Sequence, residues 1–300
     1  MANYPKAGDD DNTYRMRTIR GTTALVTGAG SGIGRATSLA LAREGMRVHA
    51  VDIDPESSAS VAAEIAAEGG SAQSHAVDVA DPAAVAALAE ALGAGGERIE
   101  ILVNSAGILA TGPAEEIELA EWQRTFGVNV FGAVHTIRAF APAMLERGAG
   151  HIVNVASLAG LVPFPFVAPY TASKFALVGM SEAMGLELAH RGVTVTAVCP
   201  GAVRTALYTA KPMNLPGNAR EKVVDLIDRG AMPPERIARD IVRAVRKRRA
   251  LVVRAGAARP LWTIYSLAPR FLLWLARTWI GRMFRRAGAA SSARGRSVEG

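Results

Sequence analysis

Cysteine occurs once in the 300 residues, at Cys199, so the chain cannot close a disulfide on itself. That fits a reducing compartment. The stretch from Met1 to Arg20 is polar, contains Asp9-Asp10-Asp11 and lacks an apolar core segment. It reads as a flexible tail (1–20) and not as a secretory leader, and a cytoplasmic location is expected. Nowhere does the chain offer ~20 uninterrupted apolar residues, so no membrane-spanning helix is expected. His49, His75, His135, His151 and His190 are scattered without metal-ligand spacing, and no metal is expected. Internal repeats are absent.

Apolar residues, in contrast, make up 50% of the chain. A large buried core is available, and disorder throughout is excluded. The formal net charge is +7. It is loaded toward the C-terminus, in Arg246-Lys247-Arg248-Arg249 and in the arginines from Arg254 to Arg296. Such a surface attracts nucleic acid or anionic lipid, or is simply solvated. No nucleic-acid motif accompanies it, so no nucleic-acid partner is expected.

From Thr22 onward, short runs rich in Val, Ile and Ala alternate with segments of helical period. The runs are Thr22–Thr27, Arg47–Val51, Ala72–Val77, Glu100–Asn104, Gly150–Ala156, Val193–Val198 and Ala250–Arg254. Helical segments between them are Ile33–Glu44, Ser57–Glu68, Pro82–Leu92, Leu119–Arg147, Tyr170–His190 and Glu235–Lys247. Continuous apolar runs suit strands buried on both faces. The alternation predicts an α/β fold, a doubly wound seven-stranded parallel sheet flanked by helices, over residues 21–256. Two stretches break it. Ala202–Pro234 is too long for a simple connection and reads as a lid. Beyond the last strand, 257–286 reads as an amphipathic helical extension and 287–300 as a second flexible tail.

The first strand runs into Thr27-Gly28-Ala29-Gly30-Ser31-Gly32-Ile33-Gly34. Glycines there permit a tight turn and a close backbone approach to a pyrophosphate, while the next helix aims its free N–H groups and positive dipole end at it. The second strand ends at Asp52. A carboxylate in that place accepts from both hydroxyls of an adenosine ribose and repels a 2′-phosphate. Neither Ile53 nor Ser31 offers a cation to such a phosphate, so NAD(H) is expected in preference to NADP(H). The plainer role for Asp52 is to start the turn Asp52-Ile53-Asp54-Pro55.

These motifs, with Asp78 after the third strand, Asn104-Ser105-Ala106-Gly107 after the fourth, Asn129, Ser157, Tyr170-xxx-Lys174 and Pro200-Gly201 with Thr205, occur in an order and spacing that resemble the short-chain dehydrogenase/reductase family. The resemblance covers about Gly21 to Arg254. Ser105 stands where the family more often has Asn. The resemblance implies a Rossmann-type fold, a nicotinamide dinucleotide and a catalytic set of Asn129, Ser157, Tyr170 and Lys174. It implies cofactor contacts from Gly28, Ser31, Gly32, Ile33, Gly34 and Asp52, and at the adenine from Asp78 and Val79. Asn104, Ala106 and Gly107 would pass the adenosine half. Pro200, Gly201, Val203 and Thr205 would border the carboxamide, and Tyr170 and Lys174 would meet the nicotinamide ribose.

Tyr170 and Lys174 are four apart and share a helix face. A phenol near pKa 10 is a poor base at neutral pH, but a neighbouring ammonium favours the phenolate. Tyr170 could then take a proton from an alcohol, or return it to a forming alkoxide. Ser157 could hold the substrate oxygen, and Asn129 a water leading to Lys174. Cys199, at the end of an apolar strand, reads as a core residue.

Between Ser157 and Tyr170 the chain carries no charge, and Leu207, Tyr208, Met213 and Leu215 add apolar residues from the lid. A lipophilic alcohol or ketone is the expected substrate. The same residues could instead fill the core or a subunit contact in a homodimer or homotetramer. Within Arg270–Arg286, Leu272, Leu273, Ala276, Trp279, Ile280 and Met283 share one helical face and five arginines the other, while Phe271 and Trp274 break the pattern. This segment (270–286) could lie in a membrane interface, pack on a partner subunit or cover the active-site mouth. The alternative to an enzyme is a catalytically idle dinucleotide-binding regulator, which predicts damage to the set of four. All four residues are present. A sugar-nucleotide epimerase could share the Tyr-Lys pair but usually has another glycine spacing.

Overall fold

The computed structural model describes residues 19–208 and 230–278. The expected tails and the middle of the lid, with Met213 and Leu215, lie outside the described residues, as do Trp279, Ile280 and Met283.

Seven parallel strands form one sheet: β1 (Thr23–Thr27), β2 (Arg47–Asp52), β3 (Ser71–Ala76), β4 (Ile101–Asn104), β5 (Gly150–Val155), β6 (Val193–Pro200) and β7 (Leu251–Arg254), in the order β3-β2-β1-β4-β5-β6-β7. Chain order reverses between β1 and β4. A crevice opens outside the carboxyl ends of strands at such a switch point, which is where open α/β sheets bind ligands.

The pleat sorts the core into two layers. Ala24, Val26, Val48, Ala50 and Val103 face a layer with α1 (Gly32–Arg43), α2 (Pro55–Ala67) and α7 (Pro234–Lys247). Leu25, Leu102, Ile152 and Val195 face the other, with α3 (Pro82–Ala94), α5 (Gly132–Glu146) and α6 (Ala168–Leu188). Local chemistry starts these helices cleanly. Asp54 and Asp81 accept from the N–H groups of Glu56 and Ala83, and Pro55 and Pro82 follow them at the first helical position.

Burial on both faces holds for β4 and β5 but not for β3, whose sequence SAQSHA is largely exposed. It is an edge strand, with a neighbour on one side only, and a polar face there costs little. The single helix expected over Leu119–Arg147 is instead α4 (Leu119–Phe126), a π-helical turn (Gly127–Phe131) and α5. The run Leu119–Glu146 is long and apolar enough to cross a membrane by length and composition. However, Ile137, Phe140 and Met144 are buried in the layer beneath the sheet.

Both ends of the stretch expected to form a lid are described, and they are stapled. Val203 pairs with Met232 as an isolated parallel bridge, with Arg204 N–H donating to Met232 (2.9 Å) and Met232 N–H to Ala202 (2.9 Å). Beyond β7 come α8 (Arg259–Leu267) and α9 (269–278), broken at Ala268. Leu261, Trp262, Tyr265 and Leu272 pack against Leu158, Val162 and Ala255. At the base of this extension Arg254 grips Asp240 of α7 with both a 2.6 Å and a 2.7 Å bond. A bidentate guanidinium–carboxylate pair of this kind fixes geometry as well as charge.

Candidate active site

Three glycines of the loop are required for three different reasons. Gly28 has φ +64, and a Cβ there would stand 2.8 Å from the Ala106 Cα. Gly32 has φ +50, and its Cβ would meet the Thr205 methyl at 2.8 Å. At Gly34 a Cβ would collide with the Gly28 carbonyl oxygen at 2.0 Å, so the helix lies directly on the turn. Ser31 caps α1 in extended conformation without a side-chain cap bond, and the first turn has no acid. Ile33 follows in that turn. A helix start of this kind suits an anion.

Asp52 ends β2 against the loop. One carboxylate oxygen accepts from the Gly30 N–H (2.8 Å), the other from the Asp54 N–H (3.1 Å). Ile53 beside it is 68% exposed, an apolar side chain with no interior to fill. The turn role of Asp52 is therefore real, and it aims the carboxylate at the glycine loop.

Across the switch point, the Asn104 side chain turns inward. It donates to Asn154 (2.9 Å) and accepts from the Thr136 hydroxyl (2.6 Å). What it presents to the crevice is backbone, with Ala106 and Gly107. Thr27 Oγ1 accepts from the N–H groups of Ser105 (3.1 Å) and Ala106 (3.2 Å), pinning that turn to the first strand. Asp78 takes the turn role, accepting from the Ala80 N–H (2.9 Å), and the buried Val79 accepts at its carbonyl from His135 Nδ1 (2.9 Å).

Tyr170 and Lys174 lie on one side of α6. The ammonium nitrogen is 5.6 Å from the centroid of the Tyr170 ring and donates to the Val155 carbonyl (3.0 Å). Both side chains are buried, and burial pushes the Lys174 pKa down to about 8. Ser157 follows β5 and accepts at its hydroxyl from the Ala159 N–H (3.1 Å). A Cβ at Gly160 would stand 2.5 Å from the Lys174 carbonyl oxygen, so the Ser157 turn lies close on α6. Asn129 sits within the π turn. Its oxygen accepts from the Ile108 N–H (2.8 Å), and its nitrogen donates to the Ile108 carbonyl and the Ser173 hydroxyl, both at 3.0 Å. π turns inside α-helices frequently mark functional sites.

Gly201 donates to the Arg254 carbonyl (2.8 Å), and a Cβ there would crowd the Ala255 carbonyl at 2.6 Å. With Pro200, the bridged Val203 and Thr205 at Gly32, it closes the crevice from the β6 side. Cys199 is fully buried and its thiol is pushed up to about 12 by burial, consistent with a core residue. Among the described residues no group of three or more His, Cys, Asp or Glu could hold a metal ion.

The structure thus places the four residues of the Tyr-Lys set and the glycine loop on the side of the sheet where the strands' carboxyl ends lie. Three supports were given no role of their own by the sequence. Thr27 and Gly30 stand there only as members of the glycine motif. Ser173 accepts from Asn129 and donates to the Tyr170 carbonyl (2.7 Å), and it lies inside Tyr170-xxx-Lys174.

Lys174 gives a stability prediction. In the fold its charged form is disfavoured, so below about pH 8 the penalty is fully present. Between there and 10.5 the unfolded chain holds a proton that the fold has released, and stability rises with pH. Lys174→Met keeps the stem and removes the charge. It is expected to raise Tm near neutral pH, by ~2–4 °C per kcal/mol recovered, and the gain should fade as pH nears 10.5. Scanning calorimetry across that range checks it. A lowered Tm at neutral pH would mean that the Val155 bond outweighs burial.

The sheet is parallel and doubly wound, with a glycine cradle at its switch point and a buried Tyr-Lys pair. The model of the family described as short chain dehydrogenase matches residues 22–214. The chain belongs to the short-chain dehydrogenase/reductase family. It is 38% identical over 264 residues to a Mycobacterium tuberculosis (strain H37Rv) protein named "Probable oxidoreductase EphD", a match covering 85% of this chain and 45% of that one. The chain therefore spans about half the length of that relative. Among solved structures, a family member from Burkholderia phymatum in complex with NAD is 32% identical (TM-score 0.77), covering 85% of this chain and 96% of that one. A metagenomic short-chain oxidoreductase in complex with NADP is 34% identical (TM-score 0.65), covering 78% and 96%.

Proposed function

We propose that the protein interconverts an alcohol and its carbonyl with a nicotinamide cofactor. The observation that carries this reading is the buried ammonium of Lys174 beside the Tyr170 ring, on the side of the sheet where the glycine cradle opens. The cradle fits a dinucleotide because side chains are excluded at Gly28, Gly32 and Gly34. When bound, the cofactor supplies the hydride acceptor or donor. The backbone of Gly28, Ser31, Gly32, Ile33 and Gly34 would hold its pyrophosphate, and Asp52 its adenosine ribose. Asp78 and Val79 would meet the adenine, Ala106 and Gly107 would pass the adenosine half, and Pro200, Gly201, Val203 and Thr205 would border the carboxamide. NAD(H) is the preferred form, since Asp52 repels a 2′-phosphate and Ile53 gives it no cation.

In oxidation the Tyr170 phenolate takes the proton of the substrate hydroxyl; in reduction the phenol returns it. Lys174 favours the phenolate by its charge and would hold the nicotinamide ribose hydroxyls. The Ser157 hydroxyl donates to the substrate oxygen as charge develops there. Asn129 holds the water that connects Lys174 to solvent.

The substrate is lipophilic. The segment after Ser157 carries no charge; Leu158 and Val162 fill the core beneath α8, and the partly buried Leu161 and Phe164 are the apolar side chains of that segment left to meet a substrate. The active unit is a homodimer or homotetramer. Leu119, Phe131, Phe175 and Leu186 stand exposed along α4, the π turn and α6, a face a second copy would cover. The protein works in the cytoplasm, with a peripheral contact to membrane through 270–286. Purified protein with NAD and alkan-2-ols of rising chain length, followed by NADH absorbance, tests this reading. Turnover should improve with chain length. Best turnover on a polyol or sugar acid would overturn the lipophilic substrate, and none with any alcohol would favour the idle regulator.

A further inference from the structure

Six of the large apolar side chains that the described residues leave exposed fall between 264 and 275: Ile264, Leu267, Phe271, Leu273, Trp274 and Leu275. The Phe271 and Trp274 rings stack with centroids 6.2 Å apart. These two residues break the single apolar face read from sequence, and they point outward. Leu272, on that expected face, packs inward. The helical pair therefore has two apolar sides. Its inner side, Leu261, Trp262, Tyr265 and Leu272, rests on Leu158 and Val162, the segment that follows Ser157.

Charge selects what covers the outer side. From Ala250 to Val298 the sequence holds nine arginines and no aspartate or glutamate. Arg259, Arg270 and Arg277 are exposed on the two helices themselves. A second copy docked face to face would bring like charges together. An anionic bilayer answers both features: the acyl boundary takes Phe271, Trp274 and Leu275, and lipid phosphates take the guanidinium groups.

We propose that α8 and α9 seat on an anionic membrane through this outer face, and that seating orders the Leu158–Phe164 segment, which follows Ser157, beneath the inner face. The inference rests on the membrane contact proposed above and adds its surface and its consequence for the site. A lipophilic substrate would be drawn from the same layer.

The test uses the full chain loaded with NAD. Flotation is measured with phosphatidylcholine vesicles, with and without phosphatidylglycerol, and amide hydrogen exchange is followed over 158–166. The protein should float with the anionic vesicles only, less so as salt rises. Exchange over 158–166 should slow by about threefold or more on binding. Phe271→Ser combined with Trp274→Ser should abolish both effects, and Arg270→Gln with Arg277→Gln should weaken flotation without unfolding risk in the apolar face. Binding with unchanged exchange over 158–166 would overturn the coupling and leave the membrane contact standing. Absence of binding would overturn both. Loss of an oligomer in the Phe271/Trp274 variant would make the face a contact between copies. None of these outcomes bears on the alcohol–carbonyl chemistry, which is read separately by NADH formation.

Discussion

Tyr170→Phe is expected to leave NAD binding near the unmodified value and to cut turnover by ~10²–10⁴, the usual worth of a positioned acid–base group. The ring is retained, so its packing on α6 and its place 5.6 Å from the Lys174 nitrogen are retained too. What is lost is the one atom that exchanges a proton with the substrate oxygen. Fluorescence titration with NADH and steady-state turnover, measured side by side, separate the two effects. A variant that turns over normally would remove Tyr170 from the chemistry and leave Ser157 as the only hydroxyl proposed to meet the substrate oxygen.

The second large effect is expected at the adenosine end. Asp52→Ala removes the acceptor for two ribose hydroxyls and the repulsion of a 2′-phosphate. It also releases the Gly30 N–H, which the carboxylate now holds at 2.8 Å. Hydrogen bonds to a charged group are worth ~1.5–3 kcal/mol, so kcat/KM with NAD should fall by roughly 10–10²-fold. Adding Ile53→Arg places a guanidinium at an exposed position beside the loop. The double variant should then prefer NADP. Paired kcat/KM values for the two cofactors decide it. Unmodified protein that already favours NADP would contradict the role given to Asp52.

Much of this was legible in the sequence because it is local. The glycine loop, Asp52 and Tyr170-xxx-Lys174 each depend on a few neighbouring residues, and the βα alternation follows from period and length. What escaped depends on the partner a residue meets across the fold. Asn104 reads as a crevice residue, yet its side chain is spent on Thr136 and Asn154 in the interior. Nothing in Gly127-Val128-Asn129-Val130-Phe131 announces a π turn; the two bonds from Asn129 to Ile108 appear only when β4's exit is packed against it. The edge position of β3 excuses polar residues that a central strand would not tolerate. In the extension, Phe271 and Trp274 already break the amphipathic period in the sequence; what they leave unread is which side meets the core, since Leu272 packs inward while Phe271 and Trp274 stay exposed.

The central claim is that a hydride leaves the carbinol carbon for the nicotinamide while Tyr170 takes the hydroxyl proton. The most direct measurement uses the alkan-2-ol that turns over fastest, deuterated at its carbinol carbon, with NAD and the unmodified protein. Mass spectrometry of the isolated cofactor should find NADH carrying that deuterium, formed more slowly than from the undeuterated alcohol, and none formed by Tyr170→Phe on the same time scale. NADH without the label, or no NADH from any alcohol at full occupancy of the dinucleotide, would contradict the account.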